Sequence, residues 1–137
     1  MRLDGRHALI TGGLGTIGRA ITAAFREAGA RVTLLDRPEL EPPEGYGWLP
    51  TDLRDPKVAE GAVGTAGPFD ILVNNAALII NKPYEAFSLD SLEEYEEQIR
   101  VNSTAAFALA RAVAPAMKLQ RLHSPNLIRL QATVRTH

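Results

Sequence analysis

The chain has no cysteine among its 137 residues. Disulfides, thiolate nucleophiles and thiolate-bound zinc are therefore excluded, and a reducing, cytoplasmic address is expected. Histidine is scarce as well. His7, His123 and His137 lie too far apart in sequence to suggest a metal site. No apolar run approaches the ~20 residues that a membrane span needs, and Met1-Arg2-Leu3-Asp4 does not open a secretory signal. Charge of one sign is also missing, because 15 Lys and Arg stand against 16 Asp and Glu. With a net charge of -1 there is no basic field for nucleic acid and no polybasic patch for a membrane surface.

What is present is an ordinary globular composition, 45% hydrophobic and 23% charged, in a chain long enough for one domain over residues 1–137 with a real core. Strand-like and helix-like segments alternate. His7 to Thr11 reads as a buried strand. Gly15 to Ala28 reads as a helix with Ile17, Ala20, Ile21, Ala24 and Phe25 along one face, closed by Gly29. Arg31 to Leu35 predicts a second strand ending at Asp36, and Pro38 to Gly47, with three prolines and two glycines, a loop. Trp48-Leu49 is a short third strand. Asp55-Pro56 supplies an N-cap and a proline at the first helical position for a helix to about Thr65.

Phe69 to Val73 predicts a fourth strand, followed by Asn74-Asn75-Ala76-Ala77 and a loop over Asn81 to Ser88. Ser91 to Glu94 has the form of a capping box opening an acidic helix. After Asn102 a helix rich in small residues runs from about Ser103 to Lys118, with alanines on most sides that imply close packing all round. Leu127 to Leu130 is a candidate fifth strand. This alternation implies βαβ crossovers, hence an α/β, doubly wound parallel sheet (Rossmann) with helices on both faces, ending after about the fifth strand.

The residues that carry chemistry begin with Thr11-Gly12-Gly13-Leu14-Gly15-Thr16-Ile17-Gly18, directly after the apolar Ala8-Leu9-Ile10. Glycines where a strand turns into a helix let the backbone approach a diphosphate, which then meets free helix N–H groups and the positive helix end. A tight turn in some other α/β protein is the alternative. A nucleoside-triphosphate loop is excluded, because no Lys-Ser or Lys-Thr pair follows Gly18. Asp36 stands 24 residues after Gly12 at a strand end. It is either a solvated acid or an acceptor for the adenosine ribose hydroxyls that repels a 2′-phosphate. Arg37 beside it offers a guanidinium to such a phosphate. NAD is expected over NADP.

TGGLGTIG (11–18), Asp36, TDLRD (51–55) and ILVNNAA (71–77), followed by Arg100-Val101-Asn102, together resemble the short-chain dehydrogenase/reductase family over residues 4 to 118. The resemblance implies an oxidoreductase that moves hydride between a nicotinamide and a carbonyl or alcohol carbon. It places the pyrophosphate on the backbone around Gly12, Leu14, Thr16 and Ile17, with Gly15 and Gly18 completing the turn. Asp36 and Arg37 fall at the ribose, Asp52 and Leu53 at the adenine, and Asn75, Ala76 and Val101 on the nicotinamide side. Asn74 is expected to tie neighbouring strands. Asn102 corresponds to a catalytic asparagine that bends the long helix and holds a water in a proton relay. Its bland reading is a polar residue satisfying a kink. The long helices of the family form subunit contacts, so the 103–118 helix is a candidate homo-oligomer interface.

The chain also departs from the pattern. Thr16 stands where the middle glycine is usual, Gly15 where a small polar residue is usual, and Ala77 where glycine is usual. The family's serine and Tyr-x-x-x-Lys pair have no match here. Tyr46, Tyr84 and Tyr95 are followed four residues later by Pro50, Ser88 and Ile99, and the expected serine falls near Ala132. Residues 119–137 look unlike the family. We therefore expect a C-terminally truncated member that keeps the coenzyme half without turnover of its own, with a substrate only in a full-length relative. The alternative is a non-catalytic NAD-binding or regulatory module docking on such a relative.

Overall fold

The computed structural model describes residues 2–79 and 92–123. Strand β1 (His7–Thr11) is buried along its whole length, as its apolar run requires of a central parallel strand. It lies between β2 (Arg31–Asp36) and β4 (Ile71–Val73), with β3 (Gly47–Pro50) outside β2, and all pairs are parallel. Helix α1 (Thr16–Glu27) follows β1, and α2 (Pro56–Ala66) joins β3 to β4. Helix α3 (Leu92–Ile99) runs through a π-helical turn (Arg100–Ala105) into α4 (Ala106–His123). None of the described helices is long and apolar enough to cross a membrane.

The two-residue period of the strands divides the core in two. Leu9, Leu35 and Leu72 point to the side where Ala59 and Val63 of α2 meet Leu109, Val113 and Met117 of α4. Ala8, Ile10, Val32, Leu34, Ile71 and Val73 point to the other side, against Ile21 and Phe25 of α1. Helices thus cover both faces, and the doubly wound parallel sheet expected from the alternation is present. At α2 the cap also forms as expected. The Asp55 carboxylate accepts from the N–H groups of Lys57 and Val58 at 3.2 and 3.1 Å, and Pro56 follows at the first helical position.

Four local expectations change. Helix α1 is rolled away from its expected face. Gly18 and Thr22 are buried and Ile21 and Phe25 half-buried, while Ile17, Ala20 and Ala24 are exposed. The cause is Gly18, which seats the helix directly on the backbone of Gly12 and Gly13. Strand β3 takes in Gly47, expected in the loop. Strand β4 begins at Ile71 rather than Phe69, because the Asp70 carboxylate takes the His7 N–H at 2.7 Å where a main-chain carbonyl would continue the ladder. Helix α4 is not packed all round: Ala108, Leu109, Val113 and Met117 are buried and Ala110 and Ala112 pack partly on the same core, but Phe107 is 69% exposed. The expected loop over 81–88, the capping residue Ser91 and the strand at 127–130 lie outside the described residues.

The connection from β2 to β3, residues 37–46, contains no helix. Parallel neighbours usually need a longer helical crossover. Here Tyr46 and Trp48 pack on the core in its place, and the Arg26 guanidinium of α1 lies 4.6 Å above the Tyr46 ring.

At the amino end of the sheet His7 is buried against Phe69, with Nε2 2.8 Å from the Thr33 hydroxyl. Its Nδ1 lies 3.0 Å from the Pro68 carbonyl and 2.8 Å from Arg31 Nη2. One nitrogen cannot serve both: protonated it donates to Pro68, unprotonated it accepts from Arg31. Burial, with the nearby Arg31, lowers the His7 pKa against the opposing pull of the Pro68 carbonyl and Asp70. The neutral ring is therefore favoured in the folded state, and the unfolded chain binds the extra proton. Stability from this group is full above the unfolded value of 6.5 and is lost as pH falls below it towards the lowered folded value. Melting curves between about pH 7 and pH 5 should show the wild type losing stability relative to a His7→Asn variant. Parallel pH profiles for the two would contradict this.

Candidate functional site

The strand register levels one edge of the sheet. Thr11 pairs with Leu35, Asp36 with Pro50, and Ile10 with Val73, so the carboxyl ends of all four strands finish together. The chain walks outward from β1 to β3 and then returns to β4 on the far side of β1. That reversal opens a crevice beyond the strand ends, where open α/β sheets bind ligands. A cleft of about 800 Å³ lies there. Its walls include Gly12, Leu14, Gly15, Thr16, Ile17, Gly18, Asp36, Arg37, Asp52, Leu53, Asn75, Ala76 and Val101. Every binding candidate from the sequence is thus brought to one place. Asn102 stands behind this wall. The structure adds Arg19, Leu40, Glu41, Thr51, Arg54, Ala77, Leu78 and Ile79 to the lining.

The glycine turn forms because three backbones meet in it. Gly12 has φ +64°, and a Cβ there would lie 2.8 Å from Ala76 Cα. A Cβ on Gly18 would overlap the Gly12 carbonyl oxygen, and one on Gly13 would enter the Leu34 side chain. Gly15 differs. A Cβ there meets only the Gly12 oxygen at 3.4 Å, an ordinary contact, so this is the position with room for a small side chain. Gly15 is the N-cap of α1, with no side-chain cap and no acid in the first turn. The first-turn N–H groups at Thr16, Ile17 and Gly18 lack intrahelical partners, and these residues line the cleft. A helix end of this kind attracts an anion.

Beside the turn, Asp36 Oδ2 accepts the Leu14 N–H at 3.3 Å and Oδ1 accepts the Arg37 N–H at 3.0 Å. The carboxylate ties the turn to the end of β2 and keeps further lone pairs for the cleft. Arg37 pairs with Glu39 at 3.2 Å. Across the cleft, Asp52 accepts from the Arg54 N–H at 2.9 Å and its guanidinium at 3.3 Å, while Arg54 Nε also meets Glu97 at 2.6 Å.

The far wall is fixed by two amide clasps. Thr11 Oγ1 accepts from the N–H groups of Asn75 and Ala76 at 3.1 and 3.0 Å. The Asn75 side chain donates back to the carbonyls of Thr11 and Gly12 at 3.1 and 3.0 Å. Asn75, rather than Asn74, thus joins the end of β4 to β1, while Asn74 donates to Ala106 of α4 at 3.4 Å. Asn102, in the π-helical turn, accepts the Leu78 N–H at 2.7 Å and donates to the Leu78 carbonyl at 2.9 Å. The extra residue in that turn aims the amide at the cleft wall. Thr11 opens the glycine motif in the sequence but carries no expected role there. Its signal was a hydroxyl ending an apolar strand immediately before Gly12. Among the described residues no cluster of acids and histidines could hold a metal.

Comparison with known proteins matches residues 6–128 to the short chain dehydrogenase family. The chain is 38% identical over 130 residues to D-erythrulose reductase of Gallus gallus, covering 86% of this chain and 49% of that protein. It thus spans about half the length of the curated relatives it matches. A gluconate 5-dehydrogenase from Burkholderia cenocepacia, in complex with NADP and tartrate, superposes with TM-score 0.70 at 30% identity, over 87% of this chain and 51% of that one. A 3-ketoacyl-(acyl-carrier-protein) reductase from Brucella melitensis, complexed with NADH, gives TM-score 0.76 at 25% identity, over 93% and 57%.

The glycine geometry yields a sharp contrast. Gly18→Ala should lower stability by about 1–3 kcal/mol through overpacking, whereas Gly15→Ser should fold with stability within about 0.5 kcal/mol of wild type. Denaturant melts of the two variants measure this directly. Equal losses at both positions would refute the assigned packing.

Proposed function

The chain belongs to the short-chain dehydrogenase family, and from that premise we propose that its cleft binds a nicotinamide adenine dinucleotide. The observation that carries this is the uncapped end of α1, brought up to the cleft by glycines that leave no space for a Cβ. The residues fit the coenzyme. The N–H groups of Gly12, Leu14 and Gly15 are taken by the Leu35 carbonyl, Asp36 and the Gly12 carbonyl, so those of Thr16, Ile17 and Gly18 take the pyrophosphate, and Asp36 accepts from the adenosine ribose. Asp52 and Leu53 border the adenine. Asn75, Ala76 and Val101 border the nicotinamide end. When bound, the coenzyme supplies a hydride donor or acceptor to a carbonyl or alcohol carbon. Asn102 positions that end by holding the Leu78 main chain.

NAD is favoured over NADP in this reading, because a carboxylate at the end of β2, that of Asp36, would repel a 2′-phosphate. Within these 137 residues no tyrosine is followed by lysine four positions on, and we propose that they do not turn over substrate by themselves. A cytoplasmic address belongs to the same reading, supported by the cysteine-free composition. So does self-association through α4, supported by the exposure of Phe107 in its first turn. Docking on a longer relative is the alternative use of that surface.

Calorimetric titration with NAD tests the central assignment. Saturable binding is expected, weakened about ten- to a hundredfold by Asp36→Ala through loss of charge-assisted hydrogen bonds. Failure to bind, or an unchanged affinity in the variant, would contradict it. Mixed with NADH and a panel of ketones, the chain should leave the coenzyme unoxidised, and steady oxidation would overturn the second part. Sedimentation should show a dimer that Phe107→Lys converts to monomer, and a wild-type monomer at high concentration would remove the interface.

A further inference from the structure

The helix-free connection between β2 and β3 does more than close a crossover. Residues 37–46 form a short strap fixed at both ends. At one end Asp36 holds the Arg37 N–H, and a turn closes through the Leu40 N–H and the Arg37 carbonyl at 3.0 Å. At the other, Gly45 has φ +86° and would press a Cβ to 2.9 Å from Arg26 Nη2, while Tyr46 lies under the same guanidinium. Pro42 and Pro43 stiffen the span between. Arg37, Leu40 and Glu41 of this strap line the cleft beside Asp36.

The cations around this end of the cleft are already committed. Arg54 meets Asp52 and Glu97, Arg19 Nε donates to the Leu14 carbonyl at 2.8 Å, and Arg37 meets Glu39. Arg37 is the one placed next to Asp36, hence next to any group on the adenosine ribose. Resting on the dinucleotide reading above, we propose that Glu39 is a specificity-determining residue. It holds the Arg37 guanidinium as an ion pair and withholds it from a 2′-phosphate, while Glu41 adds a second carboxylate to that wall. Discrimination against the phosphorylated ribose then comes from the strap as well as from Asp36. Glu39 is exposed and lies outside every helix and strand, so its replacement should leave the fold intact.

The test uses ADP-ribose and its 2′-phosphorylated form as probes, titrated calorimetrically into wild type, Glu39→Gln, Arg37→Ala and the double variant. An exposed ion pair is weak, so Glu39→Gln should tighten the 2′-phosphorylated probe by about three- to fivefold, with ADP-ribose changed by less than about twofold. Adding Arg37→Ala should abolish the gain. An unchanged ratio of the two affinities, a gain shared equally by both probes, or one that survives Arg37→Ala would overturn the role of Glu39 while leaving the coenzyme site standing. Wild type that binds neither probe would instead bring down the dinucleotide reading, and this inference with it.

Discussion

Everything in this structure hangs on the close approach of three backbones at the carboxyl end of β1. Gly12 lies against Ala76 after β4, and Gly18 of α1 lies against Gly12. Neither contact admits a side chain. The approach sets the roll of α1, aims its free N–H groups across the strand ends, and fixes how far β4 stands from β1. The Thr11 hydroxyl and the Asn75 amide then lock the seam, using polar atoms that would otherwise be buried without partners. A local packing demand thus brings the positive end of a helix to the cleft, with the Arg19 guanidinium beside it tied to the Leu14 carbonyl.

The rest of the site is a set of ties between that seam and its neighbours. Asp36 links the glycine turn to β2, and Asn102 links the π-helical turn to the main chain at Leu78. Each tie joins segments distant in sequence. Charge is arranged with the same economy. The cleft-lining arginines Arg19, Arg37 and Arg54 are each engaged by a carboxylate or a carbonyl.

Much of this was legible in the sequence because it rests on local rules. Alternation of apolar runs and helical periods gave the layered sheet, Asp55-Pro56 gave the start of α2, and the glycine run gave the turn. The binding candidates gathered on one cleft because they sit at strand ends, and parallel strands bring those ends to one edge. The failures came where tertiary contact overrides periodicity. Ile17 and Ala20 looked like the inner face of α1, yet a glycine against glycine contact decides its roll. Alanines around α4 suggested all-round packing, although Ala108 is buried, Ala110 and Ala112 are half-buried, and Phe107 stands exposed. Asn74 and Asn75 could not be told apart by position alone. Which amide meets β1 depends on where β4 ends.

The central claim is that the α1 end and its glycine turn receive the diphosphate of an adenine dinucleotide. Amide chemical shifts of the labelled protein, followed as ADP-ribose is added, test it most directly. The account predicts saturating shifts at Gly12 to Gly18, at Asp36 and Arg37, and at Asp52 and Leu53, with His7 and its neighbours at the opposite end unmoved. Shifts centred away from the carboxyl end of β1, or none at the glycine turn, would contradict it.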